Sequence, residues 1–299
     1  MCVDPVLLSL GVNKRLVSDG MEIPIPNMKH IHYKKPHRLN PVRLLHGFFC
    51  MESEFARRVM SRRTRGTAED MEYLCGGASK GQLEAVVTKS RIGLSILSRT
   101  EHVQGMVGKY LRVFHDSSTN GNKVGLLCLG CGVGREVVYP LSQMREELRL
   151  GKMDCTCVDI DPAAISMSKA LAQKNGLSSN IEYIETDLVN LRQLVGEGRI
   201  PRSEVVVEVG LHEYREESDM RVWINHYIRD ALTSDGVYIT SSMRSHWGLP
   251  RFTMDAIGWK LIYKDLKKTV EIINESGLEV IESFYEPLGM HSIVVARKR

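Results

Sequence analysis

The 299-residue sequence predicts an α/β fold: a mostly parallel sheet with helices on both faces, preceded by an N-terminal helical extension. Two observations predict it. From Lys123 onward, short apolar runs alternate with helical segments at the pitch of strand–helix–strand units. Before that point the pattern is different in kind, with apolar residues at helical spacing and no strand-like alternation.

Residues 1–40 carry Pro5, Pro24, Pro26 and Pro36 with little periodicity and read as an irregular arm. From Pro41 to about Leu111, Val42, Leu45, Phe49, Ile92 and Ile96 recur at helical spacing, broken by Gly76, Gly77 and Gly81, so several helices are expected. Asp116 to Asn122 is a dense loop signal, and a boundary is set there, with a helical cover at 1–115 and an α/β domain at 116–299. Strands are expected at Val124–Leu129, Cys155–Asp159, Ile181–Glu185, Val205–Val209 and Gly236–Ser241. Helices are expected at Arg135–Leu148, Pro162–Asn175, Asp187–Val195 and Ser218–Leu232. Glu279–Tyr285 and Ser292–Arg297 close the chain as two strands joined through Glu286-Pro287-Leu288-Gly289, a hairpin that departs from the parallel alternation.

Composition narrows the function classes. Hydrophobic residues make up 43% and charged residues 25%, an ordinary globular balance. No apolar run is long enough to span a membrane, and the first ten residues lack a basic segment and a cleavage site, so a membrane or secreted protein is not expected. Seven cysteines, an odd number, with Cys128, Cys131, Cys155 and Cys157 close in sequence, argue against a disulfide framework and for a reducing, cytoplasmic setting. Cys128, Cys155 and Cys157 fall within strands and read as small buried hydrophobes rather than a zinc or iron–sulfur site. The net charge of +4 hides an asymmetry: residues 1–100 hold 16 Lys and Arg against 9 Asp and Glu, and the remainder is at −3. A basic front of this kind fits an anionic partner such as nucleic acid, or a solvated helix face.

The first strand of the alternating region runs into Gly130-Cys131-Gly132-Val133-Gly134-Arg135. Glycines there allow close backbone approach and positive φ, and the helix start that follows favours an anionic group. A dinucleotide fingerprint would need Gly or Ala three residues after its second Gly, and Arg135 or Val137 stands there instead, which argues against NAD or FAD. The second strand ends in Asp159-Ile160-Asp161-Pro162, placing Asp159 at the carboxyl edge, where a carboxylate can accept both ribose hydroxyls. Asp161 and Pro162 have the signature of a helix N-cap and first turn. The third strand ends near Asp187 and Leu188, a second carboxylate beside the same crevice.

In these three motifs, and in Lys174-Asn175-Gly176-Leu177 before the third strand, the sequence resembles the class I S-adenosylmethionine-dependent methyltransferases over roughly residues 100–299. The resemblance implies a seven-stranded Rossmann-like sheet in which the terminal hairpin inserts an antiparallel strand beside the fifth. It implies S-adenosylmethionine as cofactor, with Gly130, Cys131, Gly132 and Gly134 around its methionine part, Asp159 at the ribose, Ile160 on the adenine face, and Asp187 with Leu188 at the adenine edge. Glu208, on the fourth strand, is assigned to the cofactor's ammonium group.

A sulfonium methyl donor is already activated, so holding an acceptor in line can supply most of the catalysis, with a base optional. Candidate bases are His212, Glu213 and Tyr214 after the fourth strand, and His246 after the fifth, beside Arg244 and Trp247. No Asn/Asp-Pro-Pro-Tyr/Phe motif marks a nucleobase or amide acceptor, and no paired metal carboxylates appear, so a metal-free transfer to an O, N or C atom of a small molecule is expected. The alternatives are RNA or protein as acceptor, through the basic front with its Arg57, Arg58, Arg62, Arg63 and Arg65, or a non-catalytic cofactor-binding subunit. A homo-oligomer is compatible with all of these.

Overall fold

The computed structural model describes residues 91–118, 123–146, 153–245 and 261–299 in full, and 15–18 and 21–24 as backbone. The helices expected over 41–90, the arginine cluster at 57–65, and His246 with Trp247 lie outside the described residues. Within the stretch read as an irregular arm, strands β1 (Arg15–Ser18) and β2 (Met21–Pro24) pair antiparallel, Arg15 opposite Pro24.

The main sheet has seven strands: β3 (Val124–Leu129), β4 (Met153–Asp159), β5 (Ile181–Glu185), β6 (Ser203–Glu208), β7 (Leu232–Met243), β8 (Leu278–Tyr285) and β9 (His291–Lys298). Their order is β5-β4-β3-β6-β7-β9-β8. The first five run parallel, while β9 lies antiparallel between β7 and β8. Every residue of β3 is buried, which is why the sequence there is an unbroken apolar run rather than an alternation. β7 is longer than its apolar core of Gly236–Ser241 because seven residue pairs with β9 extend it to Met243.

Helices cover both faces. On one lie α1 (Arg91–Ser117), α2 (Arg135–Gln143) and α3 (Pro162–Lys174), burying Val103, Val107, Leu111, Val138, Leu141 and Ile165 against Leu126, Cys128, Cys155, Val205, Val207 and Val295. On the other lie a 3-10 turn (Leu188–Asn190), α4 (Leu191–Gly196), α5 (Glu217–Trp223) running through a π turn (Ile224–Ile228) into α6 (Arg229–Ala231), and α7 (Leu266–Glu275). Their apolar residues meet Leu127, Leu129, Val158, Val206 and Tyr238. α7 was not read from the sequence; Asp265 caps it by accepting from Lys268 N at 2.7 Å.

α1 runs across the boundary set at residue 115. Val103, Val107 and Leu111 are fully buried in the same core as the sheet, so this helix is a layer of the α/β domain. α2 ends at Gln143 and is followed by a turn, short of the expected Leu148. Cys128, Cys131, Cys155 and Cys157 are all buried free thiols in that core, with Cys128 directly opposite Cys157. Hydrogen bonding with the Cys128, Cys131 and Cys155 thiols, together with burial, holds the Cys157 thiol well above its ordinary pKa, and among the described residues no cluster of ligating side chains fits a metal ion.

Candidate cofactor and acceptor site

The strand order reverses between β3 and β6, and the crevice at their carboxyl ends is where an open α/β sheet binds ligands. The glycine turn forms one wall of it. Gly130, Gly132 and Gly134 all have positive φ, at 63°, 52° and 75°. They serve different ends. A Cβ on Gly130 would sit 2.7 Å from Leu211 Cδ1, and one on Gly134 would collide with Ser168 Oγ, so both are small because protein packs against them. A Cβ on Gly132 would meet nothing within 4 Å. Gly132 therefore faces open space, the cradle that a ligand's approach to backbone requires.

The turn is fixed from β4. Cys131 N donates to Val158 O at 3.0 Å, and Gly132 N donates to Asp159 Oδ2 at 2.8 Å. Asp159 Oδ1 accepts from Asp161 N at 3.0 Å. Each carboxylate oxygen keeps a further lone pair, so Asp159 can still accept hydroxyls. Asp161 caps α3 through Ala163 N at 2.9 Å, with Pro162 in the first turn. Ile160 between them is 58% exposed, one of few large apolar side chains among the described residues left open to solvent. Thr186 N donates to Asp159 O at 2.9 Å, drawing the end of β5 to the same edge. Asp187 there caps the following 3-10 turn through Val189 N at 3.1 Å, and Leu188 is buried beneath it.

Three of the expected roles change. Cys131 is 4% exposed with its thiol in the core, so only its backbone lies on the turn's ligand side. Glu208 is fully buried, and its carboxylate is engaged by Arg215, by Trp223 Nε1 at 2.7 Å and by Tyr238 Oη at 2.6 Å. The Arg215 guanidinium also lies over the Trp223 ring at 4.3 Å. Burial alone would raise the Glu208 pKa, and the cation with these donors lowers it instead. This is a fully buried internal ion pair, with three donors on its carboxylate and no exposed oxygen for a cofactor's ammonium to reach. His212 belongs to the same network: it is 1% exposed, with Nε2 2.8 Å from Tyr238 Oη. Burial depresses its pKa to about 4, Arg215 and Lys264 adding to the effect against Glu208. His212 is thus an interior hydrogen-bonding group rather than a base facing an acceptor.

The neighbouring residues are placed differently. Tyr214 is half-buried in the 3-10 turn His212–Tyr214. Glu213 is buried, and neither carboxylate oxygen has a hydrogen-bond partner. Burial raises its pKa, and the Arg99 cation is the strongest opposing influence. Arg99, on α1, is 92% buried by its 8% exposure, with Nε unpartnered, and its Nη1 lies 3.7 Å from where a Gly210 Cβ would be. An arginine on an amphipathic helix carries no signal of its own in the sequence, so the burial of Arg99 emerges only from the packing of α1.

The assembled order of strands, the inserted antiparallel β9 and the glycine turn at the reversal point decide the fold. It is the class I methyltransferase fold. Solved structures share it: a possible exported protein from Bordetella parapertussis (TM-score 0.66, 18% identity, 86% of each chain covered) and the magnesium protoporphyrin IX methyltransferase ChlM of Synechocystis PCC 6803, with bound S-adenosylhomocysteine (TM-score 0.55, 16% identity, 87% of this chain and 100% of that one). The mitomycin 7-O-methyltransferase MmcR is similar at TM-score 0.50 and 14% identity, over 83% of this chain and 69% of that one. No protein-family model and no curated protein sequence matches the chain. Among the described residues no helix of this methyltransferase fold is long and apolar enough to cross a membrane.

Proposed function

We propose that the protein is an S-adenosylmethionine-dependent methyltransferase acting on a small-molecule acceptor. The observation that carries this reading is the tie between Gly132 and Asp159, which sets an open glycine backbone and a ribose-accepting carboxylate on one edge of the crevice. Ile160 beside them supplies an exposed apolar face for a purine, and Asp187 with Leu188 lines its edge. The residues fit the cofactor at each of its nucleoside groups. When bound, the cofactor supplies a methyl group already activated by its sulfonium.

The chain's own part is to bind and orient. The rigid turn fixes the donor, and the segment from Gly210 to Tyr214 borders the acceptor side of the crevice. With His212 committed to the interior, Tyr214 is the described residue left for optional proton removal from an oxygen or nitrogen acceptor. His246 keeps the same candidate role. ChlM and MmcR, methyltransferases of similar fold named for magnesium protoporphyrin IX and mitomycin, lend the small-molecule reading its precedent.

Titration calorimetry with S-adenosylhomocysteine tests the cofactor, and saturable binding at micromolar concentration is expected. Release of S-adenosylhomocysteine from S-adenosylmethionine on addition of small-molecule extracts tests the acceptor class. Release only with RNA or protein fractions would replace the small-molecule reading, and no binding at all would overturn the proposal.

A further inference from the structure

We propose that Arg192, Arg202, Arg229 and Lys298 form an anion site at the edge of the sheet opposite the cofactor crevice, and that its ligand is a phosphate group. The site is independent of the cofactor reading above.

The four cations converge on one junction of the chain. α6 ends at Ala231 and β7 begins at Leu232, and three of the four side chains are fastened there. Arg192, from α4, donates through Nε to Asp230 Oδ2 at 2.7 Å. Arg202, just before β6, donates through Nε to Asp230 O at 3.1 Å. Lys298, the last residue of β9, donates through Nζ to Leu232 O at 2.5 Å. Arg229 lies in α6 itself, with Nη1 on Asn225 Oδ1 at 2.6 Å. Ser203 at the start of β6 pairs with Leu232 at the start of β7, and β9 runs the other way, so the junction lies at the amino ends of the parallel strands. The glycine turn and Asp159 lie at their carboxyl ends.

The four cations share a single carboxylate. Asp230 is the one carboxylate that acts on Lys298, against Arg202 and Arg229. It is likewise the one that acts on the half-buried His226 of the π turn, against Arg192 and Arg229. Both groups have lowered pKa values, through burial first and then through these cations. A helix C-terminus favours cations, and one donor for each carbonyl would satisfy it. That accounts for the hydrogen bonds of Arg202 and Lys298, but not for the gathering of four like charges, which repel one another. A bound anion offsets that repulsion.

The cluster is within reach of a ligand. Arg202 is exposed, the Arg192 side chain is 29% exposed, and Arg229 and Lys298 are half-buried. A guanidinium has five N–H donors and an ammonium three, so a group anchored through one nitrogen keeps donors for a second partner. Four cations against one carboxylate leave an excess of three positive charges. Donors from several elements and a charge of this size suit a doubly charged tetrahedral oxyanion better than a carboxylate, which brings two oxygens and one charge. Such a phosphate belongs either to a free phosphate ester or to a nucleic-acid backbone.

Inorganic phosphate is the probe, titrated into the full-length chain against sodium chloride of equal ionic strength and followed by calorimetry and by the midpoint of thermal unfolding. Saturable binding at millimolar concentration is expected. The double variant Arg202→Gln/Lys298→Gln is expected to weaken phosphate at least about tenfold, and Arg202→Lys alone by less than about threefold, since it keeps the charge. The double variant also gives up two hydrogen bonds to carbonyls, so its midpoint falls whatever the site binds. The rise of the midpoint on adding phosphate is the readout that a purely structural role would leave unchanged. A single-stranded RNA of about 20 nucleotides separates the two sources: RNA that displaces phosphate, with an affinity that falls steeply with salt, assigns the site to a nucleic-acid backbone, and RNA that leaves phosphate affinity unchanged assigns it to a free phosphate ester. Phosphate binding no better than chloride, or equal phosphate binding by the double variant, would overturn the site. Neither outcome touches the cofactor reading, which S-adenosylhomocysteine binding tests separately.

Discussion

Gly132 donates its amide to the Asp159 carboxylate at 2.8 Å, so the turn after β3 and the end of β4 are joined through the protein's own hydrogen bond. The same carboxylate accepts Asp161 N, which holds the start of α3. Asp159 is thus a brace and, in the cofactor reading proposed above, a ligand contact as well. Asp159→Ala is expected to lower S-adenosylhomocysteine affinity by at least about tenfold and to cost about 1–2 kcal/mol of stability, the worth of two partly exposed charge-assisted bonds. Calorimetry and urea unfolding read the two effects separately. Undiminished affinity in a folded variant would remove Asp159 from the site.

The glycines of the turn make a sharper pair of expectations. Gly132→Ala adds a methyl group to open space at φ 52°, so it should fold with a loss of about 1–2 kcal/mol and yet bind S-adenosylhomocysteine poorly. Gly134→Ala forces a methyl group into Ser168, so it should be the less stable of the two by thermal unfolding. Adding Ser168→Ala should restore part of that stability, because the clash is with its hydroxyl. No such rescue is expected for Gly132→Ala.

How much of this was legible in the sequence follows from what each feature depends on. β3 to β6 were readable because strands buried on both faces are unbroken apolar runs, and Gly130 to Gly134, Asp159 and Asp187 were readable because each sits at a strand end. The network of Glu208, His212, Arg215, Trp223 and Tyr238 was not, since it is assembled by the packing of β6, β7 and α5 across up to 30 residues of chain. His212 looked like a base because its position after β6 was right, but the direction of its side chain is set by Tyr238. Leu266–Glu275 went unread because Lys267 and Lys268 mask a face of Thr269, Ile272 and Ile273, although Asp265 was a usable cap signal.

His212 should leave a pH signature in stability rather than in catalysis. Its pKa is about 4 folded and near 6.5 unfolded, so between those values the unfolded chain binds the extra proton. Stability from this group is complete above about pH 6.5 and is lost as pH falls towards 4, on the order of 3 kcal/mol in all. His291, also depressed by burial, acts in the same direction, so the comparison must be with a variant. Urea unfolding of His212→Asn should show a shallower loss of stability between pH 6.5 and 4.5 than the unmodified chain, with S-adenosylhomocysteine binding retained at pH 7.5. Equal slopes would mean that His212 titrates normally in the folded protein.

α1 carries the remaining expectation, because the loop after it looked like a domain boundary and the packing says otherwise. Leu111 and Val107 have no exposure and share a core with Leu126 and Val205 of the central strands, whereas Leu94 on the same helix is 44% exposed. If α1 were a separable cover, truncating Leu111 would trim a peripheral contact. As a layer of the domain, Leu111→Ala should cost about 2–5 kcal/mol in urea unfolding, the usual range for a buried leucine, and Leu94→Ala within about 0.5 kcal/mol. Gln104 on the same helix ties it to Arg135 at the start of α2, beside the glycine turn, so a loosened α1 should also weaken S-adenosylhomocysteine binding in Leu111→Ala at temperatures where the protein remains folded. A fragment that starts at residue 116, lacking this layer, should fail to unfold cooperatively.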